Sequence, residues 1–366
     1  MATKFRVTKE KILDGLQRVQ NVVSTRTTLP ILSNVLVQAG NDGLKLTTTD
    51  LDMAIRCTVE AEVSKVGATT LPARKLFLIL KEVGGADIEV EIDERNAASI
   101  RSGSSFYKIM GLPEEEFPKF PSVEGGKLLK IEQSVLRDML KKTAYAASND
   151  ETRYVLNGVY MSFKGSKLTV VATDGRRLAL VERDLEVAKG AEAELILPTK
   201  VVGELQRLLG DKGDAKLSIG DNQIIVELDG TTLVSKLIEG TYPNFRQVIP
   251  AEAKERVQLE RELFLAALHR ASILVSEKSQ SVKLNFAKNN LTITATTPEV
   301  GEAKETMAIN YKGKDITIAF NPQYLMDPLR NLDADEVFME LTDELSPGVV
   351  KVSEPFLYVL MPMRLN

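Results

Sequence analysis

The chain has 366 residues, 43% hydrophobic and 27% charged, with a net charge of −4 and one cysteine. That length exceeds one comfortable core, a lone cysteine excludes an intrachain disulfide, and no low-complexity tract is present. The N-terminus has no signal-peptide pattern and no apolar run reaches the roughly 18 residues of a membrane helix, so a reducing cytoplasmic setting is expected. Taken alone, the acidic balance argues mildly against a nucleic-acid partner.

Three helices are expected from apolar residues at i, i+3, i+4, i+7. In 8–21 the stripe is Ile12, Leu13, Leu16 and Val19, with Thr8 placed to cap. In 132–147 it is Val135, Leu136, Met139, Leu140 and Ala144, with Glu132 in the first turn and Lys141 and Lys142 near the last. In 260–275 it is Leu263, Phe264, Ala267, Leu268 and Ala271. An alternating strand follows each: NVLVQA from Asn34, NGVYMSF from Asn157 and VKLNFA from Val282. Each then turns back through Asn-Asp-Gly (41–43), Lys-Gly-Ser (164–166) or Lys-Asn-Asn (288–290). Three further segments, LPARKLFLILKEV from Leu71, LPTKVVGELQRLLG from Leu197 and FNPQYLMDPLRNL from Phe320, each read as a strand end, a turn and an amphipathic helix. Pro328 should kink or shorten the last of these. Other strands are expected at 88–92, 217–228 and 316–320.

These signals recur at a fixed interval. TTTDLDMAI (47–55), VATDGRRLALVE (171–182) and TATTPEV (294–300) lie 124 and 123 residues apart, and Asp174-Gly175 reads as a primed hairpin turn. The chain is therefore three copies of one unit, 1–124, 125–250 and 251–366. Each is α+β, with two helices on one side of an antiparallel sheet.

The six helical windows hold 15 basic and 10 acidic residues, against the acidic whole. A mildly positive helical surface with an acidic exterior would track phosphates loosely and without reading sequence. Catalytic equipment is missing. His269 reads as a surface or packing histidine, and Cys57 as a small buried hydrophobe. Asp50 with Asp52, or Asp333 with Asp335, reads as a solvated turn. No zinc cluster, nucleophile pair, Walker loop or dinucleotide fingerprint is present, and no metal or cofactor is expected. An enzyme with a triplicated fold and a static protein scaffold are the rival readings.

TLPILSNVLVQ (28–38), LPARKL (71–76), RYVLNGV (153–159), VATDGRRLAL (171–180), YPNFRQVIP (242–250) and YVLMPMRL (358–365) together resemble the bacterial DNA polymerase III beta subunit family, the replicative sliding clamps. The resemblance runs the full length of the chain. It implies three clamp domains per chain and a head-to-tail dimer forming a six-domain ring. Such a ring encircles duplex DNA, tethers the replicative polymerase and has no active site.

By the same resemblance, the closing contacts fall at Tyr107 and Ile109 on one side and Ile273 and Leu274 on the other, with Lys75 facing Glu299, Glu302 and Glu305. The chain has fewer arginines around Ser104–Tyr107 than the family pattern. Implied DNA contacts are Arg26, Arg74, Lys75, Arg137, Lys141, Tyr154, Lys200 and Arg207. A partner-peptide groove is implied at Arg153, Leu156, Thr173, Gly175, Arg176, Arg177, Leu178, Pro243, Val248, Asn321, Tyr324, Leu345, Val359, Met361, Pro362, Met363 and Arg364. It would serve the polymerase, the clamp loader, repair polymerases and mismatch-repair proteins. Arg176 and Gln247 depart from the family pattern, which has histidine and a basic residue there.

Overall fold

The computed structural model describes residues 3–23, 28–122, 125–187, 190–251, 253–275, 281–298 and 300–364. Six α-helices are present among them: α1 (Lys9–Val19), α2 (Ala73–Glu82), α3 (Gln133–Lys141), α4 (Thr199–Leu208), α5 (Arg261–Ser272) and α6 (Pro322–Asn331).

Each helix is preceded by a strand and followed by three more, so one strand–helix–three-strand motif recurs at all six, with Glu62–Lys65 as an additional short strand. The strands Thr3–Thr8, Lys127–Glu132 and Glu255–Glu260 open the three sequence repeats, which were expected to open on helices. Glu132 therefore ends a strand and lies outside α3. The helix expected over 132–147 is shorter than its periodicity implied, with α3 giving way to a 3-10 turn at Ala144–Ala146. The 217–228 stretch is a hairpin, Asp214–Ile219 with Gln223–Leu228.

The chain divides into two compact units, residues 1–134 with 207–237, and residues 135–206 with 238–366. In the first, a five-stranded sheet runs Glu62–Lys65, Thr3–Thr8, Asp87–Ile92, Ala97–Ser102, Ser105–Met110. An eight-stranded sheet runs Lys127–Glu132, Asp214–Ile219, Gln223–Leu228, Thr231–Lys236, Met53–Val59, Gly43–Thr49, Asn34–Gly40, Gly67–Pro72. In the second, an eight-stranded sheet runs Ala193–Pro198, Gly158–Lys164, Lys167–Thr173, Arg177–Asp184, Phe356–Leu360, Gly348–Lys351, Glu336–Leu341, Glu255–Glu260. A four-stranded sheet runs Gly301–Ala308, Asn290–Thr297, Val282–Ala287, Ile316–Phe320. Pairing within these sheets is antiparallel. Each eight-stranded sheet joins strands of two successive repeats, which the single sheet expected per repeat did not anticipate.

Helix register repeats with the sequence. The buried positions Ile12, Gly15, Leu16 and Val19 of α1 have counterparts in Leu136, Met139, Leu140 and Thr143, and in Phe264, Ala267, Leu268 and Ala271. Each large apolar side chain so buried is worth about 1.5–3 kcal/mol. Leu263, expected in the stripe of α5, is instead 56% exposed. Gly15 lets α1 settle onto the strand Met53–Val59, since a Cβ there would stand 2.3 Å from Val59 Cγ2. Cys57 Sγ donates to the Gly15 carbonyl, and burial pushes its thiol up to about 12.

Pro328, expected to kink or shorten α6, does not shorten it: the helix runs to Asn331. Its missing N–H would orphan the Tyr324 carbonyl, but the buried Tyr358 hydroxyl donates to that oxygen at 2.8 Å.

Candidate functional site

The strands Lys167–Thr173 and Arg177–Asp184 are joined by Asp174-Gly175-Arg176. This is not the two-residue primed turn the sequence suggested. Thr173 pairs with Leu178, leaving four residues between them, and Gly175 (φ +83) is left-handed while Asp174 is not. The Asp174 carboxylate closes the turn, accepting from Arg176 N at 2.9 Å and Arg177 N at 3.0 Å. The same device stands at Asp50, which accepts from Asp52 N and Met53 N, with Leu51 at φ +77 in the place of Gly175. Arg153 donates to the Asp174 carbonyl at 2.9 Å, and a Cβ on Gly175 would stand 2.8 Å from Arg153 Nη1.

An apolar cleft of about 150 Å³ opens on one side of this turn. Ten of the expected groove residues line it: Leu156, Thr173, Gly175, Arg176, Arg177, Leu178, Pro243, Val248, Val359 and Met361. Its floor is a buried cluster including Leu156, Leu178, Tyr242 and Val359, backed by Tyr160 stacked on Tyr242 at 5.1 Å. Asn244 and Phe245 also line it, although the sequence reading passed over them inside YPNFRQVIP. On the other side, a polar recess of about 330 Å³ gathers Arg153, Tyr324, Arg176 and Arg177 with residues 147–150 and Asp174.

Arg176 and Arg177 line both recesses, and Arg177 is the more tightly held. It donates to Asp174 (3.0 Å), to Asp327 (2.5 Å) and to the Tyr145 carbonyl (2.6 Å), and its guanidinium lies 4.3 Å from the centre of the Tyr324 ring. Burial works against its charge, but Tyr358, Asp327 and Asp174 outweigh it and raise its pKa. Each of its three nitrogens is thus engaged inside the protein, whereas Arg153 and Arg176 are exposed.

The five remaining groove candidates line neither recess. Asn321 caps α6, accepting from Gln323 N and Tyr324 N. Leu345 is 78% exposed beside the Asp343 turn. Pro362, Met363 and Arg364 belong to the tail, which leaves the eight-stranded sheet at Met361 (N–H to Arg176 O) and binds the edge strand Ile316–Phe320 (Met363 N–H to Ala319 O).

The candidate phosphate contacts are dispersed. In the first unit, Arg74 and Lys75 are exposed on α2, while Arg207 donates to the Gln17 and Arg18 carbonyls at the end of α1. In the second, Tyr154 and Lys200 are exposed, Arg137 is half-buried, and Lys141 pairs with Asp333 at 2.9 Å. Arg26 and Glu299 lie outside the described residues. Of the remaining candidate contacts between copies, Tyr107 and Ile273 are exposed, Ile109 and Leu274 half-buried, Glu302 exposed, and Glu305 bound to Arg270 at 2.5 Å. His269 is exposed on α5. Among the described residues, no group of acidic, histidine or cysteine side chains could hold a metal, and no helix is long and apolar enough to cross a membrane.

Family models of the DNA polymerase III beta subunit match in succession: the N-terminal domain at residues 3–121, the central domain at 130–244 and the C-terminal domain at 246–364. The chain is 35% identical to the beta sliding clamp of Chlamydia pneumoniae over 363 residues, covering 99% of both chains. It is 36% identical to that of Escherichia coli K12 over 368 residues, covering 99% of this chain and 100% of the relative. A crystal structure of the sliding clamp from Bartonella birtlesii bound to griselimycin superposes with a TM-score of 0.95 at 33% identity, over 100% of both chains.

Proposed function

Since the chain belongs to the DNA polymerase III beta subunit family and is a sliding clamp, a processivity factor without catalytic activity of its own, we propose that two copies close head to tail into a ring around duplex DNA. The three sequence repeats, 1–124, 125–250 and 251–366, supply six domains to that ring.

The observation that carries this reading is a junction built twice and left open once. In the first unit, Met53–Val59 of repeat one pairs with Thr231–Lys236 of repeat two. In the second, Arg177–Asp184 of repeat two pairs with Phe356–Leu360 of repeat three. The third pair of counterparts, Gly301–Ala308 and Ser105–Met110, are edge strands, each with one neighbour. Joined across two copies they would complete the series and remove two open sheet edges. The exposed Phe106, Tyr107 and Met110 on one edge, Leu78 on α2, and Ile273 beside the other supply apolar surface for it. Ile109 and Leu274 extend that surface, and Lys75 would face Glu302.

A closed ring leaves DNA by opening or by reaching an end. A tethered polymerase therefore meets its template at high effective concentration. The phosphate contacts, at Arg74, Lys75, Arg137, Lys141, Tyr154, Lys200 and Arg207, should be weak, salt-sensitive and blind to sequence, so that the ring slides. The apolar cleft takes the hydrophobic tip of a partner's extended peptide, and the polar recess beyond Arg177 takes its hydrophilic part. The replicative polymerase, clamp loader, repair polymerases and mismatch-repair proteins would share it and exclude one another.

Retention on DNA tests this. The protein is loaded by a clamp loader onto nicked circular DNA, freed of unbound protein, and the circle is then cut. Retention on circles with loss from linear molecules is expected. Equal retention on both would mean ordinary affinity and would overturn the topological mechanism.

A further inference from the structure

The two internal junctions also share a cation. Arg18 of α1 pairs with Asp14 four residues earlier (2.9 Å) and reaches the last hairpin turn of the next repeat, donating to the Asp229 carbonyl at 3.3 Å and to Thr231 Oγ1 at 3.2 Å. Lys142, at the same register after α3, pairs with Asp138 four residues earlier (2.8 Å) and reaches Glu354 in the corresponding turn (3.0 Å). The buried stripe aligns the helices without ambiguity, so the third member of this series is Arg270 of α5.

The acceptors differ between those two junctions, a carbonyl and a hydroxyl in one and a carboxylate in the other, but both anchor the cation on an acid four residues earlier, and at Arg270 that anchor changes. The residue four positions earlier is Ala266, which cannot anchor a guanidinium. The anchor comes instead from Glu305 on the edge strand Gly301–Ala308, which binds Arg270 Nη2 at 2.5 Å. The Arg270 side chain remains 55% exposed, against 7% for Lys142 in its completed junction. Strand pairing identifies what it would meet. The hairpin Ala97–Ser102 with Ser105–Met110 corresponds to Gln223–Leu228 with Thr231–Lys236, each closed by two residues. Gly103 thereby stands for Asp229 and Ser105 for Thr231: a carbonyl and a hydroxyl again.

We infer that Arg270 is the cation of the junction between two copies, held by Glu305 of its own chain and donating to the Gly103 carbonyl and Ser105 hydroxyl of the second copy. The inference rests on the ring reading above. It assigns Glu305 as the anchor of Arg270, in place of the expected partner of Lys75. The junction needs no additional arginine near Ser104 because its cation comes from the opposite side.

The test is the dimer dissociation constant of the full chain, by sedimentation, at about 50 mM and about 500 mM salt. Arg270→Gln should raise it about tenfold at both salts, because the acceptors it loses in the second copy, a carbonyl and a hydroxyl, carry no charge to be screened. Ser105→Ala should weaken the dimer less, and the two changes combined should cost less than the sum of each. Arg270→Gln dimerising within about twofold of the parent at both salts overturns the inference. Should Ile273→Asp still give monomers in that case, the ring reading stands without it. A parent chain monomeric at every concentration overturns both. Unchanged thermal melting of Arg270→Gln separates lost association from lost folding.

Discussion

Gly175 shows how much of the cleft depends on single atoms. Its left-handed backbone favours glycine, and a Cβ there would push the Arg153 guanidinium off the turn. Gly175→Ala should lower stability by about 1 kcal/mol or more, read as a lower denaturation midpoint, and weaken peptide docking by moving the turn that walls the cleft. That a turn stood here was legible from the Thr-Asp-Gly triplet. Its geometry was not, because an aspartate carboxylate satisfying two backbone N–H groups leaves no periodic trace. The role of Arg177 was half legible. Its place at the cleft followed from the family resemblance, but the distant carboxylate of Asp327, which consumes one of its donors, is not readable from neighbouring residues.

Elements were read well where they repeat and poorly where they are short. The segments from Leu71 and Phe320 hold α2 and α6 as their strand-end, turn and helix pattern implies, whereas the strands opening each repeat were missed. Segments such as TKFRVT are six residues long and run directly into a helical stripe. Proline in α6 is a case where a local rule gave way to a tertiary contact. Tyr358→Phe should leave the Tyr324 carbonyl without a donor and cost about 1–3 kcal/mol in denaturant unfolding. Adding Pro328→Ala, which restores a helical N–H to that oxygen, should recover part of the loss. A double variant as unstable as the two single losses summed would show that the hydroxyl does something else. The C-terminal tail is separable in the same sense. Removing residues 362–366 leaves Phe356–Leu360 in its sheet but strips the bond from Met363 to Ala319. Titration with a partner peptide should then show no binding while the dimer persists. Undiminished affinity would remove the tail from the docking site.

For the whole molecule, the repeat was the most legible feature, since spacings of 124 and 123 survive with few identities. What the spacing could not convey is that the large sheets cross the repeats, because strand partners some 180 residues apart share only an alternation of apolar residues. Charged replacements at Ile273 and Leu274 should yield monomers by mass measurement, since they would place unpaired charge in an apolar closing surface. Persisting dimers would move the interface elsewhere.

The strand Phe356–Leu360 lies fifth of eight in its sheet, between Arg177–Asp184 and Gly348–Lys351, and it carries Val359 into the floor of the cleft. During synthesis, therefore, Arg177–Asp184 must wait for a partner some 180 residues further along the chain before that sheet can close. Pairings so distant along the chain form late. A nascent or prematurely terminated product would lack the middle of its sheet together with the docking surface. A fragment ending before Phe356 should accordingly leave Arg177–Asp184 as an open sheet edge and fail to bind a partner peptide in titration.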